Sequence, residues 1–310
     1  MKESKKILVV YFSQSGQLRN ILASIVLPIR SAGHEIVIKE ILPQPPFPFP
    51  WTSDEFFDSF PESYAGIPCN IATLNLSAEE KFDLVMLGYS PWYLSPSIPT
   101  HAFLQSEEGR MLLKNKKVIT VIGSRNMWLQ AQEKVKKYLQ GIGSELVGNI
   151  ALRDRNPNLT SVITIIRWLL KGKQEKSRFF PRAGVSEEDI KTAVVFGELI
   201  KEALEKDKFD SLQDKLTTKG ATSISPNYVL FERNGSRIFK IWAKLILKMG
   251  GKGDRKRIRR VRFFKWYLIT VLFLITPMAN VIYAFIKLFK KNKIKQEIQY
   301  FSQNNYSGEK

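Results

Sequence analysis

Between an apolar segment, Ile7 to Phe12, and a helical pattern beginning at Leu18 lies the polar turn Ser13-Gln14-Ser15-Gly16-Gln17. Backbone N–H groups left free at a helix start, flanked by hydroxyls and a glycine that lets the chain turn, form a cradle for an anion. The turn is therefore read as a phosphate site without a positive side chain. It lacks G-x-G-x-x-G and Gly-Lys-Ser/Thr, so it is neither a dinucleotide fingerprint nor a nucleotide P-loop. Two more turns follow apolar runs: Ser90-Pro91-Trp92-Tyr93-Leu94-Ser95 and Ser124-Arg125-Asn126-Met127-Trp128. Trp92 and Tyr93 offer flat faces and the turns offer backbone amides, which together suit a planar ring with a polar edge. Arg125 brings a guanidinium that can hold an oxyanion or the ring edge. His101 falls at a predicted helix start, where the helix N-terminus favours a neutral imidazole able to accept a proton. Arg125 and His101 are the candidate catalytic residues.

These turns need strands to bring them together. Apolar runs of strand length occur at Ile7 to Phe12, Glu35 to Ile41, Phe82 to Tyr89, Lys117 to Gly123 and Leu146 to Leu152, with helical patterns at Leu18 to Ala32 and Trp128 to Leu139. Such alternation predicts an α/β domain with a doubly wound, five-stranded parallel sheet whose ligands gather at the carboxyl ends of the strands. Ser186 caps a predicted helix running to about Glu205, and the domain is expected to span 1–220. His34 is expected at the surface, on the far edge of the sheet. The connection 43–69 carries Pro43, Pro45, Pro46, Pro48, Pro50 and Pro61 among Phe47, Phe49, Trp51, Phe56, Phe57 and Phe60. A long loop so rich in rings reads as an apolar lid.

Tyr11-Phe12-Ser13-Gln14-Ser15-Gly16-Gln17 resembles the phosphate loop of flavodoxin-like FMN proteins, including relatives of the NAD(P)H:quinone oxidoreductases. The turns after the third and fourth strands resemble that family's second and third flavin loops. The resemblance implies FMN as cofactor, with Ser13, Gln14, Ser15, Gly16, Gln17, Leu18, Pro91, Trp92, Tyr93, Leu94, Ser95, Ser124, Arg125, Asn126 and Trp128 around it. Over nearly the whole chain, with Pro-Phe-Pro-Phe-Pro-Trp (46–51) and Arg-Asn-Met-Trp (125–128) as marks, the sequence is similar to a bacterial group known as dialkylresorcinol condensing enzymes. Condensation of the thiolase type uses a cysteine nucleophile with histidine in a duplicated fold, whereas Cys69, His34 and His101 here stand in another architecture. The flavin reading implies instead the oxidative step of that pathway: aromatisation of a 2,5-dialkylcyclohexane-1,3-dione, with a ketosynthase of the same pathway as protein partner. A quinone reductase, a flavodoxin-like electron carrier and a non-catalytic membrane adaptor are the alternatives.

Charge is unevenly placed. Residues 233–310 hold 19 of the 48 Lys+Arg but only 3 of the 29 Asp+Glu. Arg237 to Met249 reads as an amphipathic helix with Ile238, Phe239, Ile241, Trp242, Leu245, Ile246 and Met249 on one face and Arg237, Lys240, Lys244 and Lys248 on the other, the pattern of an interfacial helix. An arginine cluster follows, and then Trp266 to Ile286, 21 residues without a charge. That run is long enough to span a bilayer or to enter it and return, and a buried soluble helix is the remaining alternative. Segment 221–310 is thus expected to be a helical, basic, membrane-binding tail that holds the domain on the cytoplasmic face. Nucleic acid is the competing partner for so basic a stretch, but a charge-free apolar run is not its signature. The one cysteine, Cys69, leaves no disulfide framework and no thiol-based metal cluster, so no metal is expected; the substrate is a hydrophobic small molecule, and membrane lipid the other partner.

Overall fold

Along the first strand, β1 (Lys6–Tyr11), Ile7, Val9 and Tyr11 join one apolar cluster while Leu8 and Val10 join another. This is how a strand buried on both faces divides its side chains. The computed structural model describes residues 4–77, 80–275 and 292–306. After β1 come α1 (Gln17–Ser31), β2 (Glu35–Glu40), α2 (Ser53–Asp58), α3 (Phe60–Ala65), β3 (Leu84–Tyr89) and a two-stranded hairpin, β4 (Pro91–Trp92) and β5 (Ser95–Pro96). Next are α4 (Ile98–Gln105), α5 (Glu107–Leu113), β6 (Lys117–Ser124), α6 (Leu129–Ile142), β7 (Glu145–Arg153) and α7 (Asn158–Lys171). The chain continues through α8 (Glu187–Thr192), α9 (Val194–Lys206), α10 (Leu212–Thr218), α11 (Pro226–Leu247) and α12 (Ile258–Thr270). A final helix, α13, covers 292–302.

The five long strands pair in parallel in the order β2-β1-β3-β6-β7. This is the flavodoxin-like order, which reverses direction between β1 and β3 and opens a crevice there at the carboxyl ends. Leu18, Ile25 and Ile29 of α1, with Ile200 of α9 and Leu216 of α10, cover one face of the sheet. Phe103 of α4, Leu112 of α5 and Val135 of α6 cover the other. The expected closing helix is two, α8 and α9, joined at Ala193, with the Ser186 hydroxyl accepting the Asp189 N–H at 3.0 Å. His34 is buried, not exposed as expected: its Nδ1 accepts the Lys5 N–H at 3.1 Å, tying the α1–β2 turn to the start of β1.

The proline-aromatic segment folds down over the carboxyl ends of the strands. Thr52 and Glu55 form a capping box that starts α2, and Trp51 is anchored through its N–H to the Leu169 carbonyl of α7 at 2.8 Å. α7 is an element that the strand and helix patterns above do not include.

Composition changes near residue 220, but packing runs across that position. Val229 of α11 joins the core beside the sheet, and Ile298, Phe301 and Tyr306 pack against it. Gln213 and Thr217 of α10 donate to the Ser302 carbonyl at 3.0 and 3.1 Å. Most telling, Phe57 and Phe60 of the lid form a third apolar cluster with Ala243 and Ile246 of α11 and Val261 and Phe264 of α12. The amphipathic helix expected over 237–249 therefore divides its apolar face: Ala243 and Ile246 are core, while Ile238, Ile241 and Leu245 remain exposed. Residues 276–286 of the uncharged run lie outside the described residues, and among the described residues no helix is long and apolar enough to cross a membrane.

Arg257 clamps this third cluster. It is fully buried, with Nε on Asp58 at 2.7 Å and Nη1 on Glu62 at 2.5 Å. Removing Arg257 strands the Glu62 carboxylate, which has almost no solvent of its own. Arg257→Ala is expected to cost about 3–5 kcal/mol of unfolding free energy, measured by denaturant titration; a loss below about 1 kcal/mol, the worth of an exposed pair, would show the clamp to be dispensable.

Candidate functional site

Gly16 caps α1 in the left-handed conformation (φ 80°), and nothing lies within 4 Å of where a Cβ would point. Among the described residues, the hydroxyls of Ser13 and Ser15 have no protein partner, and no N–H from Ser13 to Gly16 donates to a backbone carbonyl. With the free N–H groups of the first turn of α1, this leaves a concave row of donors at the positive end of the helix dipole. Gln14 is turned away from it, donating to the Pro48 carbonyl of the lid at 2.8 Å. Gln17 is also engaged elsewhere: its amide exchanges hydrogen bonds with the backbone of Val185 at 3.0 and 3.1 Å. Gly184 (φ 86°) makes room for it, since a Cβ there would come within 2.6 Å of the Gln17 amide.

The second turn is the β4–β5 hairpin, and both residues at its tip, Tyr93 (φ 51°) and Leu94 (φ 61°), are left-handed. Two-residue hairpins ask for this backbone, normally with Asn-Gly; a tyrosine and a leucine held this way cost roughly 1–3 kcal/mol each. What holds them is the third cluster. The Tyr93 ring lies 5.2 Å from both Phe56 and Phe60, and its hydroxyl donates to the Phe56 carbonyl at 2.7 Å. Burial keeps that phenol well above its usual pKa, so it remains a donor. Trp92 is thereby fixed edge-on to Phe12, Phe47 and Trp51, at 5.8, 5.3 and 5.5 Å.

Two adjoining cavities result. A crevice of about 220 Å³ is lined by Gln14, Ser15, Gln17 and Leu18, by Trp92 and Tyr93, by Ser124 and Arg125, and by Trp51, Trp168 and Leu169. A second, of about 450 Å³, runs between α7 and α12, walled by Ile165, Ile166, Leu169, Leu268, Ile269 and Leu272, with Arg125 and Asn126 at its polar end. Phe56, Pro91, Tyr93, Arg125, Ile165 and Leu169 line both. At the junction, Arg125 donates from Nη1 to the Asn158 side chain at 2.8 Å, and among the described residues it forms no ion pair and its Nε and Nη2 have no protein acceptor. Burial lowers its pKa without neutralising a group so basic. Asn126 donates to Asn158 and Tyr228 at 2.9 and 3.0 Å, while its buried Oδ1 has no partner. The pair offers a cation and an acceptor at the end of an apolar channel.

The other expected site residues lie elsewhere. Trp128 is core, packed beside Val135. Leu94 lines only the apolar cavity. Ser95 is buried and bonded to His101 Nε2 at 2.8 Å. His101 opens onto a different cleft, between α6 and α11, with its other nitrogen on Tyr138 at 3.1 Å. Burial and the nearby Lys134 lower its pKa to about 3, so the ring is neutral at physiological pH. It does not face the crevice. Trp51 and Phe56 come from the lid. Trp168, Ile165 and Leu169 come from α7, whose apolar run Val162 to Leu170 was the signal available.

No family model matches the chain, and no curated protein does. Among solved structures, it is similar to a flavodoxin from the domain Archaea at 13% identity, over 64% of this chain and 99% of that one (TM-score 0.38). A flavoprotein in complex with FMN from Lactobacillus acidophilus is 18% identical over 47% and 92% (0.36), and the flavodiiron protein of Giardia intestinalis 14% over 66% and 38% (0.35). The strand order described above is read from this chain itself and rests on none of them.

A histidine kept neutral in the fold takes up its proton only on unfolding, so below pH 6.5 the unfolded state binds more protons and stability falls until about pH 3. The acid limb of stability should therefore be shallower in His101→Gln than in the wild type. Parallel curves between pH 6.5 and 4 would contradict the burial of a neutral imidazole.

Proposed function

We propose that the chain binds FMN in the crevice and oxidises a hydrophobic ring compound held in the adjoining apolar cavity. The donor row of residues 13–16 and the start of α1 suits a phosphate, and Trp92, Tyr93 and Trp51 suit a flat ring system. Bound there, FMN supplies a two-electron acceptor. The observation that carries the reading is Arg125, bonded only to neutral groups, at the junction of the two cavities.

Among the described residues, the cavity linings contain no histidine and no carboxylate. A substrate suited to such a site brings its own acidity, and a cyclic 1,3-dione does, since it ionises readily to an enolate. Arg125 would hold that enolate oxygen in a dry setting where the attraction is strong, and the Asn126 Oδ1 would accept from a hydroxyl. From the enolate, loss of one hydride from the ring carbon that bears the second alkyl group, with transfer of one proton from each neighbouring ring CH2 to the two enolate oxygens, yields the aromatic diol, so the substrate's own oxygens would take those protons. The α7–α12 channel would take an alkyl substituent, which supports a 2,5-dialkylcyclohexane-1,3-dione as substrate and a 2,5-dialkylresorcinol as product. A ketosynthase is the class of enzyme that would supply such a dione. The lid packed on Trp92 favours an enzyme over an electron carrier, which must present its flavin edge to a partner.

Purified protein should carry a yellow chromophore with flavin absorption. Gly16→Val, which forces a branched side chain into a left-handed position at the donor row, should lose it while the fold persists; unchanged flavin content would refute the phosphate assignment. With flavin bound, Arg125→Met should lower kcat/KM for a dialkylcyclohexanedione by about 10²-fold, the scale of losing an oxyanion donor. Turnover of simple quinones with NAD(P)H, and none of the dione, would establish a quinone reductase instead.

A further inference from the structure

We infer that α11 and α12 together form a docking surface for an anionic lipid bilayer, set at the open side of the apolar cavity. The two helices are joined side by side: Trp242 packs on Phe264 and Tyr267 at 5.8 and 5.3 Å, and Arg260 donates to the Leu245 carbonyl. Their inner faces are spent on the lid. Their outer faces carry large apolar residues that a water-facing helix would not hold: Ile241 is 60% exposed, Phe263 71% and Trp266 64%, and Leu274, just beyond α12, is 65% exposed. Ile238 and Leu245 extend this patch on the α11 side next to Trp242, one helical turn either way from Ile241. Patches of this kind on a soluble face mark an interaction site.

Charge identifies the occupant. Lys244 on α11 and Lys248 at its C-terminal cap flank the patch on one side, and Arg255 and Lys256 in the turn before α12 and Arg259 on α12 flank it on the other. Among the described residues, none of these five is paired with a carboxylate. From residue 233 to 275 the sequence has one acidic residue, Asp254, against 13 Lys and Arg. Exposed apolar side chains ringed by unpaired cations complement a surface that is apolar in depth and negative at its boundary, as an anionic bilayer is. Continuity points the same way, because α12 leads into a run without charge from Trp266 to Ile286. The same helix presents Phe263 and Trp266 outward and lines the apolar cavity with Leu268 and Ile269. A lipid-soluble ligand could thus pass from the bilayer to Arg125 along one helix; this last step rests on the proposed oxidation, whereas docking does not.

The test uses the full chain in a Cys69→Ser background, with Ile241→Cys carrying a polarity-sensitive thiol probe and Val195→Cys, exposed on α9, as the control. With phosphatidylglycerol vesicles the probe at 241 should shift to the blue and the one at 195 should not. Phosphatidylcholine vesicles, or high salt, should weaken the response by roughly tenfold or more. Phe263→Asp/Trp266→Asp should lower vesicle co-sedimentation by a similar factor while the thermal unfolding midpoint stays within a few degrees. The inference is overturned if the probe at 241 is silent, if it shifts with protein concentration in the absence of lipid, or if the double variant sediments like the wild type. Flavin content and dione turnover in detergent, read on the same samples, report separately on the oxidation.

Discussion

Arg257 is a full charge with no access to water, and the lid and the tail meet around it. Two carboxylates from the lid side, Asp58 and Glu62, satisfy it, and Glu62 is itself almost completely buried. In such surroundings neither Arg257 nor Glu62 is tolerable without the other, while Asp58 keeps partial access to water. The ion pair thus specifies one position of the lid against α12, and the aromatic packing follows: Phe60 stacks on Phe264 with ring centres 3.7 Å apart and planes 14° from parallel. Without that arrangement Tyr93 would have no bed for its ring, and the hairpin tip no reason to keep two left-handed residues.

A chain of dependence runs from there to the two cavities. The hairpin sets Trp92, Trp92 and Trp51 close the crevice, and α7, reached by the Trp51 backbone bond, closes the apolar cavity. Arg125 stands where the two spaces meet because the turn after β6 is held from below by Asn158 at the start of α7. Glu232 of α11 takes the N–H of Gln130 at 2.8 Å at the other end of that turn, and burial raises its pKa to about 8. It serves as the N-terminal cap that Trp128 cannot supply to α6. Segments far apart in sequence therefore hold a site whose loops lie on a sheet that any doubly wound protein has.

The sheet was legible because its signals are local. Ile7 to Phe12 or Leu146 to Leu152 can hardly be anything but buried strands, and the polar turns after them follow from the parallel topology. The crevice loops were legible for the same reason, down to Ser15, Trp92 and Arg125. What local pattern does not carry is the direction of a side chain. Trp128 and Ser95 sit in the expected turns but point into the core, and His101, adjacent in sequence to the second turn, opens on another cleft. Nor does composition reveal partnership across 200 positions. The cations after residue 233 look alike in sequence, yet Arg257 is a buried clamp while Arg255 and Arg259 are exposed.

Distance along the chain also has a meaning in time. Asp58 and Glu62 are separated from Arg257 by 199 and 195 residues. At an elongation rate of about 5–20 residues per second, roughly 10–40 seconds pass between the synthesis of the lid and that of its clamp. During that interval the whole sheet emerges and can pair, while Phe57 and Phe60 still lack the helices that cover them. A nascent chain at this stage has an open crevice and an incomplete lid, whose rings wait for Ala243, Ile246, Val261 and Phe264 to cover them.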